Sequence, residues 1–372
     1  MRVLMVSKAC LVGAYQRKLE ELAALPGMEL TVMVPPYWRD ERGRVELERQ
    51  HTGGYELVVE PMALNGHFHL HFYPGLRRRI RQVQPQLVHI DEEPYNVATA
   101  HALRLAQGAG ARTLFFSWQN ILRRYPWPFH LLERYVLRRV DYAIVGNQAS
   151  GRVWRAKGYQ GPMAVIPQFG IDPQAMSPAT GVQQRQAAGR GFIVGYVGRL
   201  VAEKGVDLLL EALSGLEGTW RAYIQGSGPE RDALQAQARQ LGLGQRVSFD
   251  EWIPSAQMPG YYRQLDVLVL PSRTRPNWKE QFGRVLVEAM ACGVPVVGSD
   301  SGEIPNVIGD AGLVFPEDDA AALRQHLADL LLDPGLRLEL AQRGRERVLA
   351  HYTQAQVAAQ TYQVYQEILE AG

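Results

Sequence analysis

Cysteine is scarce: only Cys10 and Cys292 occur, far apart and without metal-ligand spacing. That argues against both a disulfide framework and a zinc site. No window has the apolar length of a membrane span, and the opening residues MRVLMVSKAC lack the pattern of a secretory signal, so a cytoplasmic location is expected. Internal repeats and low-complexity tracts are also missing, which excludes solenoids and fibrous classes. Glycine is sparse where one enzyme class would need it. The loop Ser7-Lys8-Ala9-Cys10-Leu11-Val12-Gly13-Ala14 follows an apolar run and holds a single glycine. A dinucleotide-binding dehydrogenase would carry Gly-x-Gly-x-x-Gly there, so the loop speaks against an oxidoreductase.

What is present is an ordinary globular composition, 46% hydrophobic and 21% charged over 372 residues, a length that suits two domains. The formal net charge is only +2. It conceals an asymmetry, because residues 1–170 carry 22 Lys and Arg against 14 Asp and Glu, whereas the remainder carries 18 against 24. A basic half implies an anionic partner, whether a membrane surface, an anionic acceptor or nucleic acid. The segment Arg123-Arg124-Tyr125-Pro126-Trp127-Pro128-Phe129, with Arg134, Arg138 and Arg139, mixes cations and aromatics as a lipid-facing surface does. A single-stranded nucleic acid groove uses the same ingredients. His67, His69 and His71 alternate with apolar residues and would share one face of a strand, but no adjacent carboxylate or Cys completes a metal site. A loop facing an acceptor is the expectation there.

Apolar runs alternate with helical patterns along the whole chain, from Val3–Val6, Leu30–Val34, Tyr55–Glu60, Leu87–Ile90, Thr113–Phe116 and Tyr142–Val145 to Phe192–Val197, Arg221–Gln225, Val247–Phe249 and Val267–Leu270. Such continuous runs read as strands of parallel sheets buried on both faces, hence an α/β fold. Polar residues collect at the carboxyl ends of these strands, where ligands bind in open parallel sheets. Asp91, Glu92 and Glu93 follow one strand, and Ser117, Trp118, Gln119 and Asn120 follow the next. Arg199 and Lys204 flank a strand-to-helix turn that could hold a diphosphate. The stretch Glu280–Asp300 begins with an acid, bends at Phe282-Gly283, runs through a short helix carrying Glu288 and stops at Cys292-Gly293. A helix N-terminus suits a phosphate, and a carboxylate suits the vicinal hydroxyls of a sugar.

That stretch, with its two Glu residues separated by seven, closely resembles the signature of retaining glycosyltransferases of family 4, which have the GT-B fold and use nucleotide-sugar donors. Gly198–Gly205, Gly226-Ser227-Gly228-Pro229 and Gln168-Phe169-Gly170-Ile171-Asp172-Pro173 resemble further segments of that family, with Gln168 in place of the usual Asn. The resemblance implies two Rossmann-like domains facing across a cleft: residues 1–168 on the acceptor side, 169–353 for the donor, and a terminal helix over 354–372 crossing back to the first domain. It implies hexose transfer from a nucleoside diphosphate sugar to a hydroxyl of a glycan, glycolipid or small molecule, with retention at the anomeric carbon. Glu280 would contact the transferred sugar and Glu288 the nucleotide ribose, while Arg199 and Lys204 would neutralise the diphosphate. Gly13, Gly198, Gly226, Trp252, Ile253, Gln281, Phe282, Gly283, Arg284, Val285 and Leu286 would complete the donor site. Asp91, Glu92, Glu93, Ser117, Trp118, Gln119 and Asn120 would face the acceptor. Many members have a His where Ser117 and Trp118 stand, so the departing phosphate is expected to take the acceptor proton. No metal or other cofactor is expected, nor nucleic acid, and attachment to the inner face of an anionic membrane accompanies the cytoplasmic location. A sugar-nucleotide epimerase of the same fold and a nucleic-acid-binding protein are the alternatives.

Overall fold

The computed structural model describes residues 1–40, 43–178, 191–251 and 253–371. The expected connector Thr180–Gly191 (Gly191 excepted) and Trp252 lie outside them. Two units emerge, one made of Met1–Gly170 with Gln354–Gly372, the other of Ile171–Thr353. The chain passes between units two residues beyond the expected 168, and its last helix belongs to the first unit.

The first unit contains β1 (Arg2–Val6), α1 (Gly13–Ala23), β2 (Glu29–Val34), β3 (Tyr37–Asp40), β4 (Gly43–Glu46), β5 (Glu56–Val59), α2 (Leu76–Val83), β6 (Leu87–Ile90), α3 (Val97–Gln107), β7 (Arg112–Ser117), α4 (Phe129–Leu137), β8 (Tyr142–Val145), α5 (Gln148–Ala156) and β9 (Met163–Val165). Its parallel sheet has the order β5-β2-β1-β6-β7-β8-β9. β1 shows why an unbroken apolar run is a strand here. Val3 and Met5 enter the core on one face, and Leu4 and Val6 enter the core on the other. β3 and β4 form a separate antiparallel hairpin, with Tyr37 opposite Glu46. In the sequence Tyr37–His51 reads as a charged, exposed segment.

The second unit contains β10 (Phe192–Val197), α6 (Val206–Ser214), β11 (Trp220–Gln225), α7 (Arg231–Gln240), β12 (Val247–Asp250), α8 (Met258–Tyr262), β13 (Val267–Leu270), α9 (Arg284–Ala291), β14 (Val296–Ser299), α10 (Ile304–Ile308), β15 (Leu313–Phe315), α11 (Ala320–Leu332) and α12 (Pro334–His351). Its parallel sheet runs β12-β11-β10-β13-β14-β15. β13 repeats the β1 pattern, with Val267 and Val269 in one core and Leu268 and Leu270 in the other. The last helix, α13 (Gln354–Glu370), packs on α1 in the first unit. There it buries Val357, Ala358, Val364, Tyr365 and Ile368.

Both sheets reverse their strand order once, between β1 and β6 and between β10 and β13. Loops leaving two such neighbours turn to opposite faces, and a crevice opens at their carboxyl ends.

Candidate functional site

In the second unit the crevice lies beyond β10 and β13. After β10 the chain runs through Gly198 and Arg199 into one 3-10 turn, Ala202–Lys204, and Gly205 then starts α6. The Arg273 N–H donates to the Glu203 carbonyl at 2.8 Å, so this turn is tied to the segment after β13. Glu280 sits where the two meet. Its Oε2 accepts from Lys204 Nζ at 2.5 Å and from Ser272 Oγ at 2.9 Å. The ammonium also stands 4.9 Å from the centre of the Trp278 ring. The Glu280 carbonyl accepts from the Glu303 N–H at 3.2 Å. Gly302, at φ +60°, allows that approach, since a Cβ there would lie 2.1 Å from the Glu280 carbonyl oxygen. Glu280 is thus pinned by side chain and backbone, with 8% of its surface exposed. The Arg199 side chain is exposed, and its guanidinium has no ion pair among the described residues.

Glu288 lies on α9, which Gly283 initiates at φ +75°. Its Oε1 accepts from Arg284 Nε and its Oε2 from Tyr262 Oη, each at 2.7 Å. The structure therefore gives Glu288 two fixed partners that sequence spacing does not reveal. Gln281 is exposed, while Phe282 and Val285 are half-buried. Leu286 packs in the core, so only its backbone could serve a donor. Ile253 is half-buried, and Gly226 abuts the Gly198 carbonyl with no room for a side chain.

In the first unit the crevice beyond β1 and β6 is a cavity of about 310 Å³ lined by Lys8, Tyr15, Trp38, Phe68, Phe116 and Trp118 among others, with Asp91, Glu92, Glu93 and Gln168 in its wall. The three acids have different partners. Asp91 accepts from Ser7 Oγ at 2.5 Å and from Gln168 Nε2 at 2.8 Å, while burial pushes its carboxyl up. Glu92 pairs with Lys8 and has His71 Nε2 at 3.3 Å. Burial would raise its pKa, but Lys8 and His71 outweigh that and bring it down to about 2. Glu93 accepts from Ser117 Oγ at 2.5 Å and from the Trp118 N–H at 2.9 Å. Burial nevertheless pushes its carboxyl up to about 7. Gln168 links two walls, since its Oε1 accepts from Trp118 Nε1 at 2.9 Å while its amide holds Asp91. The Trp118 ring lies over Gly146, where a Cβ would come within 2.1 Å of it.

The structure brings Asp91, Glu92, Glu93 and Trp118 around one cavity but turns other expected residues away from it. The Ser117 hydroxyl is spent on Glu93, and Gln119 Nε2 donates to the nearby Ile121 carbonyl at 3.0 Å. Gln119 and Asn120 are both buried and neither lines the cavity. Gly13 opens α1. Its N–H, expected near a donor phosphate, donates to Glu48 Oε2 at 2.7 Å, so a carboxylate already caps that helix end. The His67–His71 alternation is not a strand face. It is a turn in which His67 is exposed and His71 buried, and it delivers Phe68 to the cavity. Sequence reasoning missed Lys8 and Trp38, while Phe68 belongs to the loop that was expected to face an acceptor. Lys8 sat in a loop searched only for glycines, and Trp38 lay in a stretch read as solvated. In the basic-aromatic segment Trp127 is 77% exposed and Leu122 and Leu131 are bare among Arg124, Arg134 and Arg138, whereas Tyr125 and Phe129 are half-buried.

Against known families, residues 181–347 match the glycosyl transferases group 1 and residues 17–174 match glycosyltransferase family 4. The chain is 29% identical over 345 residues to a GDP-mannose-dependent alpha-(1-6)-phosphatidylinositol monomannoside mannosyltransferase of Mycolicibacterium smegmatis, covering 87% of this chain and 86% of that one. It is 30% identical to the lipopolysaccharide core biosynthesis mannosyltransferase LpcC of Rhizobium leguminosarum, over 63% of this chain and 67% of that one. Among solved structures, sucrose-phosphate synthase from Thermosynechococcus elongatus superposes with a TM-score of 0.74 at 21% identity, covering 100% and 99% of the two chains. Anabaena HepE, solved with UDP, gives 0.73 at 19% over 99% and 100%. These two likenesses establish the shared fold.

The raised Glu93 carboxyl has a consequence for stability. An acid whose folded pKa exceeds its ordinary value of 4.5 contributes fully below that value, and the contribution is lost as pH rises through about 7. Raising the pH from 5 to 8 should therefore cost the parent about 1–3 kcal/mol relative to Glu93→Gln, which has no charge to develop. Urea unfolding of both proteins at the two pH values measures the difference. Parallel pH profiles would show that Glu93 titrates normally.

Proposed function

The chain belongs to the group 1 and family 4 glycosyltransferases, and from that premise we propose that it moves a hexose from a nucleoside diphosphate sugar to an acceptor hydroxyl with retention at the anomeric carbon. The observation that carries this reading is the Lys204–Glu280 pair at the switch point of the second unit, with Arg199 exposed on the segment that follows β10. Glu280 offers a fixed carboxylate to the hydroxyls of the transferred hexose. Lys204 and Arg199 supply positive charge where the leaving diphosphate gains negative charge, with the N-terminal end of α9 adding its dipole. Glu288, steadied by Tyr262 and Arg284, is assigned to the ribose. Leu286 contributes its backbone only, and Gly198 and Gly226 shape the floor. In the first unit the cavity with Asp91, Glu92, Glu93 and Trp118 takes the acceptor. The departing diphosphate accepts the acceptor's proton, so the step needs no protein base. GDP-mannose is the first donor to try, because relatives carry that donor in their names.

The reaction needs no divalent metal in this reading, since Arg199 and Lys204 offset the diphosphate charge. Incubation with GDP-mannose, UDP-glucose or ADP-glucose and a mixture of glycan acceptors, followed by proton NMR of the anomeric signal, tests the activity. A retained configuration, formed at an unchanged rate in excess chelator, is expected. Activity lost in chelator and restored by magnesium or manganese would refute the metal-free reading. Epimerisation of the donor alone would point to a sugar-nucleotide epimerase. Salt-sensitive RNA binding with no turnover of any sugar nucleotide would point to a nucleic-acid-binding protein.

Among the described residues no helix is long and apolar enough to cross a membrane. The bare Leu122, Trp127 and Leu131 among arginines support peripheral attachment to anionic lipid instead. Vesicles containing phosphatidylserine should sediment the protein at low salt and release it at high salt. Equal sedimentation with neutral vesicles would exclude electrostatic attachment.

A further inference from the structure

We propose that Trp278 is a positioning residue of the donor site, acting by holding the Lys204 ammonium against its aromatic face. The proposal rests on the reading of Lys204 as a partner of the leaving diphosphate and adds the residue that sets where that charge stands.

Trp278 is a large apolar side chain with no place in the packing of its unit. Among the described residues its ring belongs to neither hydrophobic core of the second sheet, and it is only half-buried. What the ring does meet is a cation, with Lys204 Nζ 4.9 Å from its centre. The surrounding loop keeps that contact in register. The Arg275 N–H donates to the Trp278 carbonyl at 2.6 Å and the Trp278 N–H to the Arg275 carbonyl at 3.1 Å, closing a tight turn over 275–278. The root of this turn is tied to the element that carries Lys204. The Arg273 N–H bonds the carbonyl of Glu203, the residue before Lys204, at 2.8 Å, and the Arg273 guanidinium bonds Asp207 in the first turn of α6 at 2.6 Å. Thr274 Oγ1 adds a bond to Glu317 at 2.5 Å.

These ties matter because the lysine ammonium ends a flexible four-carbon stem. Glu280 Oε2 takes one of its three donors. The ring supplies a second restraint, of a kind that strengthens as water is excluded, and the Lys204 side chain is only 18% exposed. An aromatic face attracts the ammonium without bringing a second negative charge beside the phosphates, as another carboxylate would.

The test compares the full-length parent with Trp278→Phe and Trp278→Leu. Each is titrated calorimetrically with whichever of GDP, UDP and ADP the parent binds best, and with the matching nucleoside. Trp278→Leu should weaken the diphosphate about two- to thirtyfold and leave the nucleoside unchanged. Trp278→Phe, which keeps an aromatic face, should recover most of that loss. In a Lys204→Met background, which keeps the stem and removes the charge, the difference between Phe and Leu should vanish. If the Lys204→Met protein does not fold, the split between diphosphate and nucleoside and the rescue by Phe decide. Unchanged diphosphate affinity in Trp278→Leu overturns the proposal, as does a Phe variant no better than the Leu one. An equal loss of diphosphate and nucleoside, or a loss that persists without the Lys204 charge, overturns it too. A parent that binds no nucleoside diphosphate, or a folded Lys204→Met protein that binds it as the parent does, would instead strike at the donor-site reading.

Discussion

Parallel strands can be joined only through crossovers that pack on a sheet face, and a sheet built outward from its first strand in both directions must reverse somewhere. The reversals between β1 and β6 and between β10 and β13 are the constraint on which both candidate sites depend. Each leaves two strand ends side by side with their following loops turned apart. Ser7 and Lys8 thereby face Asp91, Glu92 and Glu93, although 84 residues separate Lys8 from Glu92. In the second unit Lys204 and Ser272 converge on Glu280 from loops that follow the two switch-point strands. The chemistry is placed by topology, and the cores on each sheet face hold the strand ends in position.

Charge is managed differently at the two places. Glu280 and Lys204 are both mostly removed from water and pair closely, with Ser272 adding a donor to the same oxygen. Such a pair gives modest net stability, yet removing one partner strands the other and typically costs about 3–5 kcal/mol. The pairing therefore serves to hold a carboxylate at one point and a cation beside it, while the Arg199 side chain stays exposed. In the first unit neighbouring acids are driven apart. Glu92, beside Lys8 and His71, is held at about 2, whereas Glu93, half-buried against the Ser117 hydroxyl and the Trp118 backbone N–H, is held at about 7. Environment, rather than residue type, separates them.

Much of the fold was readable because buried parallel strands leave continuous apolar runs. Val3–Val6 and Val267–Leu270 announce themselves, and Glu280 and Glu288 stand in a stretch with a specific pattern. What escaped was whatever depends on contact across sequence. The hairpin of β3 and β4 is short and polar, so its Trp38 gave no sign of reaching the cavity. Spacing placed Glu288 on a helix face but could not show Tyr262 beneath it. Gly13 resembled a phosphate contact because nothing local reveals that Glu48 takes its N–H. Gln168 was seen as a departure from a family pattern, and only the structure shows it bridging Asp91 and Trp118.

The central claim is that the Glu280–Lys204 pair and Glu288 form a donor site with divided roles, and one comparison tests it directly. Calorimetric titration with the bare nucleoside diphosphate, beside initial transfer rates, is made for the parent, Glu280→Gln and Glu288→Ala. Glu280→Gln should bind the nucleotide nearly as the parent does while transfer falls steeply. Glu288→Ala should bind it about ten- to a hundredfold more weakly, the cost of losing a hydrogen-bonded charge. If both variants bind and turn over like the parent, these acids are structural charges and the donor lies elsewhere.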